Sequence, residues 1–417
     1  MELRKCEEII FREDLYPRIE KNPLTVQKYA ETIDVLPPIE INQHNEIIDG
    51  WHRWTAHKKE KKEEINVKTT ETKSDIHLLE LAIDRNSKHG LQLSQEDKRN
   101  MARRIYHITL ERERNEKKKY LAKILSVPDR TIRDWLSRID KDSREARNKR
   151  IFNLWMACYT QEEIAERCEC ERTTVESILT KMAELPKSSK PIAEHLTDFD
   201  IPIYNVWKWQ EKTLGSKYPG NTESIIVDRL LYLYTQPFDV VVDPFAGGGS
   251  TIDVCKKRFR RYFVSDRKPV EEREHEIRKH DIVEGLPSLP RWKDVKLIYL
   301  DPPYWKQMEN VYSEDKNDLA NMDLETFNLT LSKLIKDFAK KISEGFIALI
   351  ISPTQWKSPD KNFTDHMADM LKLVDLPIDM RISCPYESQQ YYAQMVDWAK
   401  ENKKLLVLSR ELIVWKV

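Results

Sequence analysis

The spacing of apolar residues changes from one part of this chain to the next. In PPIEINQHNEIIDGWHRWTAHKK (Pro37 to Lys59), short alternating runs flank Gln43-His44-Asn45, which predicts strand, turn and strand. A helix is expected from about Trp51, and INVKTTE (Ile65 to Glu71) predicts a further strand. From about 93 the period becomes helical. Leu121, Ala122 and Ile124 mark one helix, Val127-Pro128 a turn, and Thr131, Ile132, Trp135 and Leu136 a second. Beyond 196 the period changes again. Continuous β-branched runs appear at VVV (Val240 to Val242) and LIYL (Leu297 to Leu300), the pattern of parallel strands buried on both faces. Helices are predicted near 224–234, 250–257 and 324–343, and strands near 346–351, 380–383, 405–408 and 412–416. The last two strands, around Ser409-Arg410-Glu411, read as an antiparallel hairpin closing the sheet.

These shifts suggest three parts: 1–92, small and α+β; 93–195, helical; and 196–417, an α/β sheet. The segment LPKSSKPIAEH (Leu185 to His195) would be the linker before the third. At 417 residues, two or three domains are expected for roughly 150 residues each. The 40% hydrophobic content suffices for packed cores. No apolar run approaches a membrane span, and MELRKCEEII lacks the apolar stretch of a signal peptide, so a cytoplasmic protein is expected. Six scattered cysteines suggest reduced thiols, and no metal site is expected. Net charge is zero, but Lys98 to Arg150 carries 18 Lys/Arg against 8 Asp/Glu. A surplus of ten positive charges in a neutral protein points to a local polyanion footprint.

Two strings carry the chemistry: DPFAGGGST (Asp243 to Thr251) and DPPY (Asp301 to Tyr304), each directly behind an apolar strand. A Gly-rich turn leaving a buried strand is where a parallel sheet receives a nucleotide-like cofactor. DPPY offers one carboxylate, carbonyls from Pro302 and Pro303 without competing N–H donors, and a ring. That set suits an amine on a flat heterocycle. With YFVSD ending at Asp266 and KYPGNTESIIVDRLL (Lys217 to Leu231), these motifs make 197–417 resemble the DNA amino-methyltransferases. The resemblance implies a Rossmann-like class I methyltransferase sheet and S-adenosylmethionine as cofactor. Asp243 would meet its ammonium, and Pro244, Phe245, Ala246, Gly247 and Gly249 would line its methionine part. Asp266 would bind the ribose hydroxyls and Asp281 the adenine amine, while Tyr218, Pro219 and Asn221 would line the pocket. Asp301, Pro302, Pro303 and Tyr304 would hold the acceptor base, with Trp305 as a second wall. DPPY rather than Ser-Pro-Pro favours adenine-N6 over cytosine-N4.

The string IDGWHRWTA, followed by ELAIDRNSKHGLQLS, resembles the phosphate-binding box of ParB-like and sulfiredoxin-like domains. It implies a phosphate, from a nucleoside triphosphate or DNA, at Gly50, His52 and Arg53, with Asn86 nearby. Gly-Trp-His-Arg stands where nucleotide-hydrolysing relatives have Gly-Glu-Arg-Arg, which puts hydrolysis in doubt. The alternative is an ordinary helix start with Arg53 in a salt bridge.

YLAKILSVPDRTIRDWLSRI (Tyr120 to Ile139) and YTQEEIAERCECERTTVESILTKM (Tyr159 to Met182) read as helix-turn-helix elements. Arg130, Thr131 and Arg133 in the first, and Arg172 and Thr173 in the second, are the candidate DNA contacts. The second begins with a capping box between Thr160 and Glu163. Double-stranded DNA is the expected partner, with a homodimer and a cognate restriction nuclease as further expectations. Base-sequence choice falls to these elements or to the loop from Trp305 to Asn321. The expected activity is adenine-N6 methylation of DNA. The alternatives are cytosine-N4 methylation, or a nucleotide-gated, ParB-like regulator with a vestigial methyltransferase unit. An RNA substrate suits helix-turn-helix elements poorly.

Overall fold

The computed structural model describes residues 2–17, 22–88, 93–183, 198–208, 222–307, 309–310, 314–355, 363–386 and 392–417. Its contacts divide the chain into two compact units, Met1–Ala146 and Arg147–Val417. The boundary falls inside one continuous helix, Asp129–Met156. The two hairpins expected in a single helical region therefore belong to different units.

The first unit opens with a four-stranded sheet in the order β1 (Glu2–Lys5), β4 (Glu64–Thr69), β2 (Ile39–Ile41), β3 (Ile47–Asp49). β2 and β4 are parallel, and the other pairings are antiparallel. The turn between β2 and β3 puts Asn45 at φ 59°. Asn42 Oδ1 holds it by accepting from the backbone N–H of His44 and Glu46. Ile39, Ile41, Ile65 and Val67 form the sheet's core with Cys6, Ile9 and Ile47. Helices Asp75–Lys88, Gln95–His107 and Arg114–Ile124 follow, and the second has a Ser94–Asp97 capping box. Leu79, Ile83, Met101, Ile105, Tyr106, Leu121, Ile132 and Leu136 join them in a separate core.

The second unit is built on a seven-stranded sheet: β12 (Ile378–Ser383), β13 (Glu411–Lys416), β9 (Phe346–Ile351), β8 (Val295–Leu300), β5 (Val240–Asp243), β6 (Arg261–Asp266), β7 (Arg278–Lys279). The strands from β9 to β7 run parallel, while β13 is antiparallel to both its neighbours. Both faces are covered, which explains the unbroken apolar runs. Val240, Val242, Ile298 and Leu300 face one core, with Phe327, Leu331, Ile335 and Phe338 of the helix Leu324–Lys341. Val241, Leu297 and Tyr299 face the other, with Ile226, Leu230 and Leu231 of Ser224–Tyr234 and Ile252 and Cys255 of Ser250–Lys257. The Asp228–Arg258 ion pair, with two contacts of 2.6 Å, ties those last two helices together under cover.

One sequence expectation is corrected. Residues 405–408 form no strand, and Leu405 is 88% exposed. The strand paired with 411–416 on that side is β12, 30 or so residues earlier, so the sheet closes without a terminal hairpin.

Candidate active site and nucleic-acid interface

Both chemical motifs lie where strands end. Asp243 closes β5, Asp266 closes β6, and Asp301 follows β8; β5 is paired in parallel with both of the other strands. The Gly-rich turn is tied to the end of β6 by two bonds. Gly247 N–H donates to Asp266 Oδ2 at 2.9 Å, and Ala246 N–H donates to the Ser265 carbonyl at 3.0 Å. Gly247 (φ 49°) and Gly249 (φ 80°) are left-handed, and Gly249 is the N-cap of Ser250–Lys257. A Cβ at Gly249 would come within 2.9 Å of Arg273 Cδ; Arg273 is itself held by Asp253 at 2.7 and 3.0 Å.

Three carboxylates thus converge at one sheet edge. Asp243 is 2% exposed and accepts from Thr251 Oγ1 at 2.6 Å and Phe245 N–H at 2.9 Å. Burial nevertheless pushes its pKa up to about 7, and the charges of Asp301 and Asp266 push the same way. Burial likewise raises Asp266, against the N–H groups of Lys268 and Gly247. Asp301 is raised to about 6 by burial; the Thr222 hydroxyl, Arg410 and Tyr299 pull it down, and Glu223 pushes it up. These oxygens keep lone pairs for further donors. The Tyr304 hydroxyl is buried without a hydrogen-bond partner. A site with surplus negative charge and spare acceptors suits a cationic ligand rich in N–H and O–H groups, as S-adenosylmethionine is, and suits a polyphosphate poorly.

The remaining cofactor candidates are placed as follows. Phe245 is partly buried against the core and Ala246 is 5% exposed. Tyr218, Pro219 and Asn221 lie outside the described residues. Asp281 caps a short turn through Val283 N–H and pairs with Arg267 at 3.0 Å, so its carboxylate is already engaged. Arg267 also meets Asp318 at 3.4 Å and Asp315, joining the end of β6 to the loop after DPPY. Pro302 is buried and Pro303 and Tyr304 are half-buried. Trp305 is not a base wall. It is 4% exposed, donates Nε1–H to the Met322 carbonyl at 2.8 Å, and meets His366 edge-on at 5.6 Å.

Sequence reasoning missed Thr222, Glu223, Tyr386 and Arg410. Glu223 is the N-cap of Ser224–Tyr234 and pairs with Arg410 at 2.8 Å. Arg410 is 2% exposed, and its guanidinium lies 4.1 Å from the centre of the Tyr386 ring. Its only sequence signal was a charge two residues ahead of the apolar run LIVW.

In the first unit, Gly50 (φ 105°) is the N-cap of the helix Trp51–Lys59. Arg53 is bonded there to the carbonyls of Pro37 (3.1 Å) and Pro38 (2.8 Å) and to Asp49 Oδ2 (2.6 Å). His52 Nε2 accepts from Asn22 N–H at 3.3 Å, and Asn86 donates to the Ala82 carbonyl at 2.7 Å. Arg53 is thus in a salt bridge, and both polar side chains of the expected phosphate turn have internal partners.

The hairpins form as expected. In each, a left-handed residue (Ser126, Glu169) ends the first helix. The next N–H then bonds five residues back, Val127 to Ala122 at 3.1 Å and Cys170 to Ala165 at 3.0 Å. Arg130 and Arg133 are exposed and Thr131 is half-buried. Arg172 and Thr173 are exposed too, but Arg172 is paired with Glu162 at 3.1 Å.

A family model described as DNA methylase, N6_N4_Mtase, matches residues 41–274. That span takes in the Gly-rich turn and Asp266 and stops short of DPPY. Among solved structures, the chain is similar to a SAM-dependent methyltransferase from Archaeoglobus fulgidus, with 14% identity and a TM-score of 0.27 over 46% of this chain and 93% of that one. It is also similar to an antibiotic-related methyltransferase, with 17% identity and a TM-score of 0.25 over 46% and 94%. A third likeness is to ParB from Caulobacter crescentus complexed to the centromeric parS site, with 16% identity and a TM-score of 0.21 over 47% and 80%. Likenesses this weak carry no weight for function. No curated protein matches.

Proposed function

We propose that this chain, which belongs to the N6/N4 DNA methylase family, methylates the exocyclic N6 of an adenine rotated out of double-stranded DNA. The family makes it an S-adenosylmethionine-dependent DNA methyltransferase; the choice of adenine and the residue roles are our reading. The observation that carries it is the Asp301-Pro302-Pro303-Tyr304 turn at the end of β8, beside the acidic pocket of Asp243 and Asp266. When bound, the cofactor supplies an electrophilic methyl group on a sulfonium. Asp243 would hold its ammonium and Asp266 its ribose hydroxyls.

Asp301 and the Pro302 carbonyl each accept one N–H of the target amine. That draws the nitrogen toward tetrahedral geometry and frees a lone pair otherwise delocalised into the ring. Alignment and proximity supply most of the rate, because the leaving thioether is already activated. The nitrogen is acidified once methylated, so its proton leaves to Asp301 or water. Tyr304 offers a face for the flipped base. The first hairpin, in the basic stretch, is our choice for contact with the DNA backbone.

Nucleoside mass spectrometry of DNA incubated with the protein and S-adenosylmethionine tests the reading. N6-methyladenine is expected. N4-methylcytosine alone would move the assignment to the other branch of the family, and no methylated base from folded, DNA-binding preparations would favour the vestigial reading.

A further inference from the structure

We infer that Thr354 and His366 are positioning residues for methyl transfer: by two hydrogen bonds in series they fix the carbonyl of Trp305, and with it the end of the DPPY turn that carries Tyr304. This rests on the reading of that turn given above and holds for either target base.

Trp305 directly follows Tyr304 and is held at both ends. Its Nε1–H donates to the Met322 carbonyl at 2.8 Å, and its own carbonyl accepts from Thr354 Oγ1 at 2.8 Å. Thr354 Oγ1 in turn lies 2.9 Å from His366 Nε2. A hydroxyl has a single proton to give. Thr354 gives it to Trp305, so His366 must be the donor in the second bond, as the neutral ring protonated at Nε2. Donation therefore runs one way, from imidazole to hydroxyl to carbonyl. Thr354 and His366 are fully buried and Trp305 is 4% exposed, so bulk water does not replace a lost partner.

The two residues come from segments remote from the turn. Thr354 opens the short strand Thr354–Gln355 after β9, and His366 opens the helix His366–Leu373. That helix start is fixed by Asp365, which accepts from the N–H groups of Met367 and Ala368. The imidazole meets Trp305 edge-on at 5.6 Å and Phe327 edge-on at 5.4 Å. Its Nδ1 is buried without a hydrogen-bond partner. An apolar side chain would fill such a slot with no orphaned nitrogen. What the imidazole alone supplies is the donor to Thr354.

The turn has need of this anchor. On its N-terminal side Asp301 follows directly from β8. On its C-terminal side the chain runs into the loop that ends at Asn321, and the same strand start braces it twice. Thr354 takes the Trp305 carbonyl, and the Pro353 carbonyl accepts from Gln307 Nε2 at 2.9 Å, while Gln307 N–H returns to the Tyr304 carbonyl at 3.1 Å. A shift of about 1 Å in a group that aligns the reactants costs on the order of a hundredfold in rate. Loosening Trp305 should therefore slow transfer without emptying the cofactor pocket of Asp243 and Asp266, which is reached from β5 and β6.

The test is single-turnover transfer of a tritiated methyl from saturating S-adenosylmethionine to DNA by the full chain, with rate constant and amplitude read separately. A positioning role lowers the rate constant at full amplitude; partial unfolding lowers the amplitude and spares the rate constant. Thr354→Val and His366→Leu should each slow the step by about ten- to a hundredfold with unchanged cofactor affinity. Thr354→Ser and His366→Gln keep the donors and should recover most of the rate. Because both residues act on one carbonyl, the double variant Thr354→Val with His366→Leu should be no slower than the worse single one. Wild-type rate constants in Thr354→Val and His366→Leu, losses confined to the amplitude, or no recovery in Thr354→Ser and His366→Gln overturn the inference. If one apolar variant does not melt cooperatively, the other and its donor-keeping counterpart decide. Nitrogen NMR of histidine-labelled protein should show the Nε2–H ring at His366, assigned by its loss in His366→Gln; the Nδ1–H ring would break the chain of donors. Transfer retained in Asp301→Ala would instead sink the reading of the turn itself.

Discussion

The two glycine turns of this protein share a backbone and differ in everything around it. Gly50 and Gly249 each follow a strand, adopt a left-handed φ and cap a helix, and each has an arginine folded against it. At Gly50 the nearby charges are answered: Arg53 by Asp49 and two carbonyls, His52 Nε2 by a backbone N–H. At the sheet edge beside Gly249, three carboxylates crowd together and their pKa values rise. Strain of that kind is tolerated where a ligand relieves it. A shared turn therefore says little about ligand sign; the second layer of side chains decides it.

The largest expected contrast is between Asp301→Ala and Arg53→Ala. The first should cut methyl transfer by about a thousandfold or more, the scale of deleting a group aimed at the reacting atoms. It should not lower the melting temperature, because a costly buried charge goes with it. The second should leave transfer intact and destabilise the fold by about 1–3 kcal/mol, the cost of orphaning a buried polar partner. A nucleoside triphosphate that raises the melting temperature with the logarithm of its concentration, and loses that effect in Arg53→Ala, would break the comparison and restore a phosphate to the Gly50 turn.

A second contrast is in pH. The Asp243 carboxyl is raised from 3.8 to about 7. Its contribution to stability is thus fully present below pH 4, and it is lost as pH rises through 7, because the unfolded chain ionises first. Without cofactor, wild type should lose melting temperature between about pH 4 and 7 relative to Asp243→Asn. The rise on adding S-adenosylmethionine should grow over the same window. Parallel curves for the two proteins would remove Asp243 from the pocket. Calorimetry of Asp243→Ala and Asp266→Ala should show affinity weakened by about 1–3 kcal/mol each.

Third, an alanine at either glycine must accept a left-handed φ, at about 1–2 kcal/mol. At Gly50 its Cβ would also sit 2.6 Å from Ile39 Cγ2 in the sheet core, whereas at Gly249 it meets the flexible Arg273. Gly50→Ala should therefore be the less stable protein by thermal melting, while Gly249→Ala should lose more cofactor affinity. The reverse order would mean that Arg273 yields less readily than the core.

The smallest expected effect separates the two hairpins. Their turns match, yet the first lies in the basic stretch, while 159–182 carries six Glu against three Lys/Arg. Arg130→Ala with Arg133→Ala should flatten the salt dependence of DNA binding by up to about 0.9 per lost phosphate contact. Arg172→Ala should leave the slope alone. Equal changes would make both hairpins DNA contacts.

Where periodicity alone fixes an element, reading it from residues worked. Helices Ser224–Tyr234 and Ser250–Lys257 and strand Phe346–Ile351 begin and end where the apolar pattern places them. The motifs also ended where a parallel sheet presents its ligands. Residues 405–408 misled because a short apolar run need not be buried, and Leu405 lies exposed. Arg410 was illegible for a different reason: its partners, Glu223 and Tyr386, come from remote segments, and only the sheet order brings them together. The bonds of Arg53 to the Pro37 and Pro38 carbonyls were illegible too, because a strand start some 15 residues away gives no hint of them.

The place of β13 between β9 and β12 has a consequence for how the protein is made. Among the described residues, β12 pairs with the sheet only through β13, yet β13 is synthesised almost 30 residues after it. On the ribosome, β12 must wait with its pairing edge open while the helix Ala393–Glu401 and the residues after it emerge. The sheet can close only when Leu412 to Trp415 slide into the gap and bury their side chains from both sides. The Arg410–Glu223 pair comes into being in that same motion, so a nascent chain holds the DPPY turn long before it holds Arg410.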